Sequence, residues 1–224
     1  MTTWNLGIDD AGRGPVIGPM ILAGVLLDEK EEKYLKSIGV KDSKAITQKR
    51  REFLEEKIKE KAEAFEVIIT FPEEIEKSNA EGIKLNEVEA IDCAKIINKI
   101  NSGKDKINVV LDCPSPSLIK WGDYLKTHIK KLTNLEISCE HKADRNHVSV
   151  SAASILAKCT REREMAKVKE KYGNEIGSGY TSDPATQKFL AKYALKYMNE
   201  GIFRKTWITW KKAAELLKQE KLNF

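Results

Sequence analysis

The chain has 224 residues, enough for one sizeable domain that buries a core without disulfide or structural-metal support. Lys and Arg total 39 against 34 Asp and Glu, a formal net charge of +5 that is too mild to mark a polyanion-binding protein by itself. No apolar stretch approaches the ~20 residues that span a bilayer.

The cysteines Cys93, Cys113, Cys139 and Cys159 form no Cys-x-x-Cys pair, and only His128, His141 and His147 could complete a zinc site. Reduced thiols are therefore expected. Met1-Thr2-Thr3-Trp4 shows no basic region followed by an apolar run, so a soluble, cytoplasmic protein without a secretory leader is expected.

Trp4, Leu6 and Ile8 alternate with smaller or polar residues and predict a first strand ending near Asp9. Gly12, Gly14, Pro15, Gly18 and Pro19 punctuate an irregular turn, after which Met20 to Leu27 is an apolar run of strand length. Thr47 to Ala64 predicts a solvated helix, and Phe65 to Phe71 a strand stopped by Pro72. Asn86 to Asn101 has helical spacing; Ile107 to Leu111 is a short strand closed by Asp112; Leu135, Ile137 and Cys139 alternate as another. Val148 to Tyr172 predicts a long helix with Gly173 as its C-terminal cap. Asp183-Pro184 opens a further helix, and a last amphipathic one runs from about Trp207 to Leu222. Strands that alternate with helices and then give way to helices argue for a mixed sheet with helical flanks.

Four acids stand where strands stop: Asp9 and Asp10 after the first, Asp112 at the end of a central one, and Asp144 beyond another. Loops at strand ends project groups toward one crevice, and carboxylates are the ligands that hard cations such as Mg²⁺ prefer. Adjacent strand residues point to opposite faces. Asp9 and Asp10 can then share a site only if the chain turns sharply there, a turn that Ala11-Gly12-Arg13-Gly14 is expected to supply. Spacing alone does not show that the four meet.

Five segments in order resemble the type 2 ribonuclease H family, its archaeal members in particular. They are Gly7-Ile8-Asp9-Asp10-Ala11-Gly12-Arg13-Gly14-Pro15-Val16-Ile17-Gly18-Pro19, Val40-Lys41-Asp42-Ser43-Lys44, His141-Lys142-Ala143-Asp144, Ser151-Ala152-Ala153-Ser154-Ile155-Leu156-Ala157-Lys158 and Gly177-Ser178-Gly179-Tyr180-Thr181-Ser182-Asp183-Pro184. The resemblance implies an α/β chain with the ribonuclease H-like fold, a mixed five-stranded sheet flanked by helices. It implies a catalytic domain over 1–175 and a small helical C-terminal part over 176–224 packed on it.

The family's metal-binding acids fall on Asp9, Asp10, Asp112 and Asp144. The family usually has Glu after the first Asp, and Asp10 is one methylene shorter, which favours a metal tolerant of looser geometry, Mn²⁺ over Mg²⁺. The activity implied is endonucleolytic cutting of the RNA strand of RNA–DNA hybrids, and 5′ to ribonucleotides embedded in duplex DNA. Two divalent cations, Mg²⁺ or Mn²⁺, would serve it, leaving 5′-phosphate and 3′-hydroxyl ends. Gly12, Arg13, Gly14 and Tyr180 correspond to the segments that read the ribose, and Ser43, Lys44, Lys142 and Lys158 to phosphate contacts.

His141 could be a general base or a structural hydrogen-bond donor, and Ser151 to Ser154 reads as a helix face packed on the sheet. Gln219-Glu220-Lys221-Leu222-Asn223-Phe224 faintly resembles a sliding-clamp-binding box, and the family implies a monomer. The competing readings are a ribonuclease H-fold nuclease for DNA and a non-catalytic hybrid-binding module. An all-DNA substrate separates the first, and a metal titration the second.

Overall fold

Five strands in the order β3-β2-β1-β4-β5 form the sheet in a computed structural model that describes residues 3–40 and 46–222. They are β1 (Trp4–Ala11), β2 (Met20–Asp28), β3 (Ala64–Thr70), β4 (Ile107–Asp112) and β5 (Leu135–Glu140). β1 is antiparallel to β2 and parallel to β4, and β4 is parallel to β5, so the sheet is mixed. The helices are α1 (Glu29–Ser37), α2 (Gln48–Lys61), α3 (Pro72–Ala80), α4 (Leu85–Ile100), α5 (Leu118–Thr127), α6 (Val148–Tyr172), α7 (Pro184–Tyr193) and α8 (Ile208–Leu222).

Three helices were not legible as such. α1 is almost wholly polar, with Leu35 its only buried residue, and is held by a capping box between Asp28 and Glu31. Pro72 begins α3 as well as stopping the preceding strand. α5 follows the prolines after β4 and buries Trp121, Gly122 and Leu125.

β1 does not end at Asp9. Its pairing with β2 continues through Asp9↔Ala23, Asp10↔Leu22 and Ala11↔Ile21. The turn expected over Ala11–Gly14 begins only after Ala11, with Gly12 at φ 81°, because a regular partner strand carries Asp9 and Asp10 on in extended conformation.

The chain divides into two compact units. One comprises Met1–Ala11, Ile21–Ile68 and Leu85–Thr160; the other comprises Gly12–Met20, Ile69–Lys84 and Arg161–Phe224. In the first, α6 approaches β1 so closely that a Cβ on Gly7 would lie 2.1 Å from the Ser149 carbonyl carbon. On the other face Ile96 of α4 packs on Gly24, beside Leu6 and Ile8. The core of the second unit gathers Val16, Ile17, Met165, Ile176, Phe189 and Phe203.

Candidate active site

Strand alternation sorts the acids by face. Leu6, Ile8 and Asp10 point toward α4, whereas Gly7 and Asp9 point toward α6. Asp9 is buried and accepts a hydrogen bond from Ser154 of α6. The charge of Asp10 is felt by Cys93, which is buried on α4 near Glu89 and Asp92. One step past Ile8↔Leu111, the parallel register sets Asp112 beside Asp9.

Asp144 sits in a 3₁₀ turn over Ala143–Arg145, entered through Lys142 in the left-handed conformation at φ 59°. The amide of Ala143 donates to Asp112 Oδ1 at 3.2 Å. The Ser151 hydroxyl donates to the Asp144 carbonyl. Ser151 and Ser154, one turn apart on α6, therefore hold the Asp144 main chain and the Asp9 carboxylate.

Burial raises the pKa of Asp9 well above the carboxylate range, and the nearby charges of Asp10 and Asp112 push it further in the same direction. The Ser154 hydroxyl and the Asp10 amide, 2.8 Å from Asp9 Oδ1, oppose that shift. Hard oxygen donors crowded at such electrostatic cost match a divalent cation. The side chains do not close on a common point, however. Among the described residues no group of three or more His, Cys, Asp or Glu is arranged to hold a metal ion.

The second unit builds a separate feature from the glycine-rich segment. Val16 and Ile17 amides donate to the Gly179 carbonyl at 2.9 and 3.3 Å, while the Gly18 amide donates to Ile202 at 3.0 Å. Residues 12–18 are thus laced to the 177–180 turn and to the segment around Phe203. That turn is itself tied down: Asp183 accepts from the Ser178 amide at 2.6 Å and hydroxyl at 2.7 Å, and caps α7 through Ala185. These bonds pull the Asp183 pKa down to about 2.

Tyr180 stands exposed beside the turn, with the Arg161 guanidinium 4.8 Å from its ring centre. Arg161 also donates to the Ser178 carbonyl at 3.0 Å. Its Nε is buried without a hydrogen-bond partner, and burial pulls its pKa down. Gly12, at φ 81°, lies against this arginine: a Cβ there would meet Arg161 Nε at 2.4 Å. A Cβ on Gly14 would meet nothing within 4 Å, so that side of the loop is open.

The sequence profile of Ribonuclease HII matches residues 6–210. The chain belongs to the ribonuclease HII family. It is 43% identical to ribonuclease HII of Thermococcus onnurineus, over 96% of this chain and 91% of that protein. The crystal structure of ribonuclease H2 from Pyrococcus horikoshii superposes with a TM-score of 0.84 at 38% identity, covering 96% of this chain and 99% of that one. Ribonuclease HII of Archaeoglobus fulgidus, solved in complex with PCNA, gives a TM-score of 0.79 at 36% identity, covering 91% of this chain and 94% of that one.

As a ribonuclease HII the chain is a type 2 ribonuclease H with the ribonuclease H-like fold, an endonuclease that degrades the RNA of RNA–DNA hybrids. His141 directs Nδ1 at the Cys113 carbonyl, 3.1 Å away, which gives it the structural hydrogen bond. Lys142 is exposed at the entry to the Asp144 turn, and Lys158 is half-buried on α6. Ser43 and Lys44 lie outside the described residues. Sequence reasoning missed Arg161 and Arg204 among 39 basic residues, and read Ser151 and Ser154 only as packing.

Proposed function

We propose that this ribonuclease HII cuts the RNA strand of hybrids and cuts duplex DNA on the 5′ side of an embedded ribonucleotide, as in ribonucleotide excision repair. The observation that carries the hydrolytic part is the crowding of Asp9 by Asp10 and Asp112 in a buried setting. Asp9, Asp10, Asp112 and Asp144 would hold two divalent cations, Mg²⁺ or Mn²⁺. Bound there, such ions supply an activated water and stabilise charge on the leaving oxygen, giving 5′-phosphate and 3′-hydroxyl ends. Ser154 orients the Asp9 carboxylate, and the Ala143 amide orients that of Asp112.

Gly12, Arg13 and Gly14 are read as the contact to the 2′-hydroxyl, the group that distinguishes RNA from DNA. The open side of Gly14 and the exposed ring of Tyr180 support that reading. Tyr180 would stack on a sugar or base, and Lys142, with Ser43 and Lys44, would meet phosphates.

The PCNA complex of the Archaeoglobus relative supports reading Gln219–Phe224 as a sliding-clamp contact. The family supports a monomer. Among the described residues no helix is long and apolar enough to cross a membrane, and a cytoplasmic location accords with the free cysteines.

The test is cleavage of a labelled DNA duplex with one ribonucleotide, beside its all-DNA twin, in Mg²⁺, Mn²⁺ or chelator. Metal-dependent cutting confined to the 5′ side of the ribonucleotide is expected. Cutting of the all-DNA duplex, or cutting that survives chelation, would overturn the reading.

A further inference from the structure

Arg204 is fully buried, yet it carries a guanidinium. A charge taken from water is stable only where hydrogen bonds replace hydration, so the partners of Arg204 show what it is there to hold. Nη1 donates to the Arg13 carbonyl at 2.6 Å, and Nη2 to the Gly12 carbonyl at 2.6 Å. The Gly18 carbonyl accepts from Nε at 3.3 Å and Nη2 at 3.1 Å. Its own amide donates to the Val16 carbonyl at 2.9 Å. Trp207 lies across the guanidinium, 5.1 Å from ring centre to Cζ, and its indole N–H reaches the Gly14 carbonyl at 3.3 Å.

Every bond in this set ends on a main-chain carbonyl of residues 12–18. A glycine-rich loop has many accessible backbone conformations, and one planar fork with fixed donor directions selects among them. In a planar trans peptide the carbonyl and the following N–H point opposite ways. With the Gly12 and Arg13 carbonyls drawn inward to Arg204, the N–H groups of Arg13 and Gly14 are turned away from it. Those are the donors that a ribose hydroxyl would meet.

We propose that Arg204 is the positioning residue of the ribose-reading loop, setting the peptide planes of residues 12–18 and through them the preference for ribose over deoxyribose. The inference rests on the reading of Gly12–Gly14 as the 2′-hydroxyl contact.

The experiment measures binding of a duplex with one ribonucleotide and of its all-deoxy twin, with Ca²⁺ in place of the catalytic metal, alongside kcat and KM for cleavage. Should the wild type bind both duplexes equally, the ribose-reading assignment itself falls, and Arg204 with it. Given wild-type discrimination, Arg204→Lys keeps the charge but loses the fork, and the affinity ratio is expected to fall about tenfold, the worth of about one charge-assisted bond. KM on the ribonucleotide duplex is expected to rise more than kcat falls. In Arg204→Gly, free guanidinium at sub-denaturing concentration is expected to restore the ratio, and NaCl at matched ionic strength is not.

Phe189→Leu, which loosens the same core without touching the loop's carbonyls, is the control for lost stability. Equal loss of discrimination in Phe189→Leu at matched melting temperature would overturn the proposal, as would an unchanged ratio in Arg204→Lys. If neither Arg204 variant folds, Trp207→Leu removes the ring over the guanidinium and the Gly14 bond, and an unchanged ratio there overturns it equally.

Discussion

Arg161 holds Tyr180 and the turn that carries it with one guanidinium, 4.8 Å from the ring centre and 3.0 Å from the Ser178 carbonyl. Replacing it with methionine keeps the stem and removes both contacts. Arg161→Met is expected to raise KM for a ribonucleotide-containing duplex about 3–10-fold, the range of a cation–π contact. Steady-state kinetics checks this, and an unchanged KM would show that Tyr180 needs no such support.

Gly12 and Gly14 separate backbone need from substrate contact. Gly12→Ala forces a Cβ against Arg161 Nε at 2.4 Å and the Pro19 carbonyl oxygen at 2.7 Å, at a positive φ. A loss of about 1–3 kcal/mol in stability is expected from denaturant unfolding. Gly14→Ala points into open space, so its stability should stay within about 0.5 kcal/mol of wild type. Any loss of cleavage by Gly14→Ala then reports on the substrate.

Asp9 is a charge that folding disfavours. Its folded pKa lies above the unfolded value near ~3.9, so stability is lost as pH rises from the unfolded value through the folded one. Asp9→Asn should abolish cleavage yet melt higher than wild type at pH 7 in chelator, by about 2–4 °C for each kcal/mol relieved. The advantage should vanish near pH 4, and also when Mg²⁺ or Mn²⁺ relieves the wild type. Calorimetry across pH, with and without cation, makes the comparison.

Asp10 is one methylene shorter than the glutamate the family usually has at that position, which would limit its reach toward a metal beside Asp9. Asp10→Glu adds the methylene the family usually has and is expected to raise the Mg²⁺-supported rate several-fold relative to that with Mn²⁺. Parallel assays in the two metals decide it. An unchanged preference would remove the short side chain as its cause.

Asp183 carries the opposite pH sign. Bonds from Ser178 and Ala185 hold its pKa near 2, below the unfolded value, so its stabilisation is full above about pH 4 and is lost as pH falls toward 2. Asp183→Asn is expected to melt below wild type at neutral pH, with the gap closing in acid.

The strands were legible because apolar patterning is local, and strand ends with family resemblance single out Asp9, Asp10, Asp112 and Asp144 as candidates. The course of β1 through Asp10 was not, since it depends on the pairing of Asp10 with Leu22 and of Ala11 with Ile21. The capping box of Asp28 and Glu31 was present in the sequence but stood before a helix too polar to show a period. Arg204 left no local signal, because each of its loop partners is distant in sequence.

That distance has a consequence for biosynthesis. The bonds from Arg204 to Gly12, Arg13 and Gly18 join residues 192, 191 and 186 positions apart. Contacts of such long sequence separation form late, after the intervening chain has been paid out and closed. A nascent chain therefore carries its four acids well before the ribosome delivers the arginine that braces the glycine loop. The peptide planes of residues 12–18 are thus among the last features of the fold to be fixed.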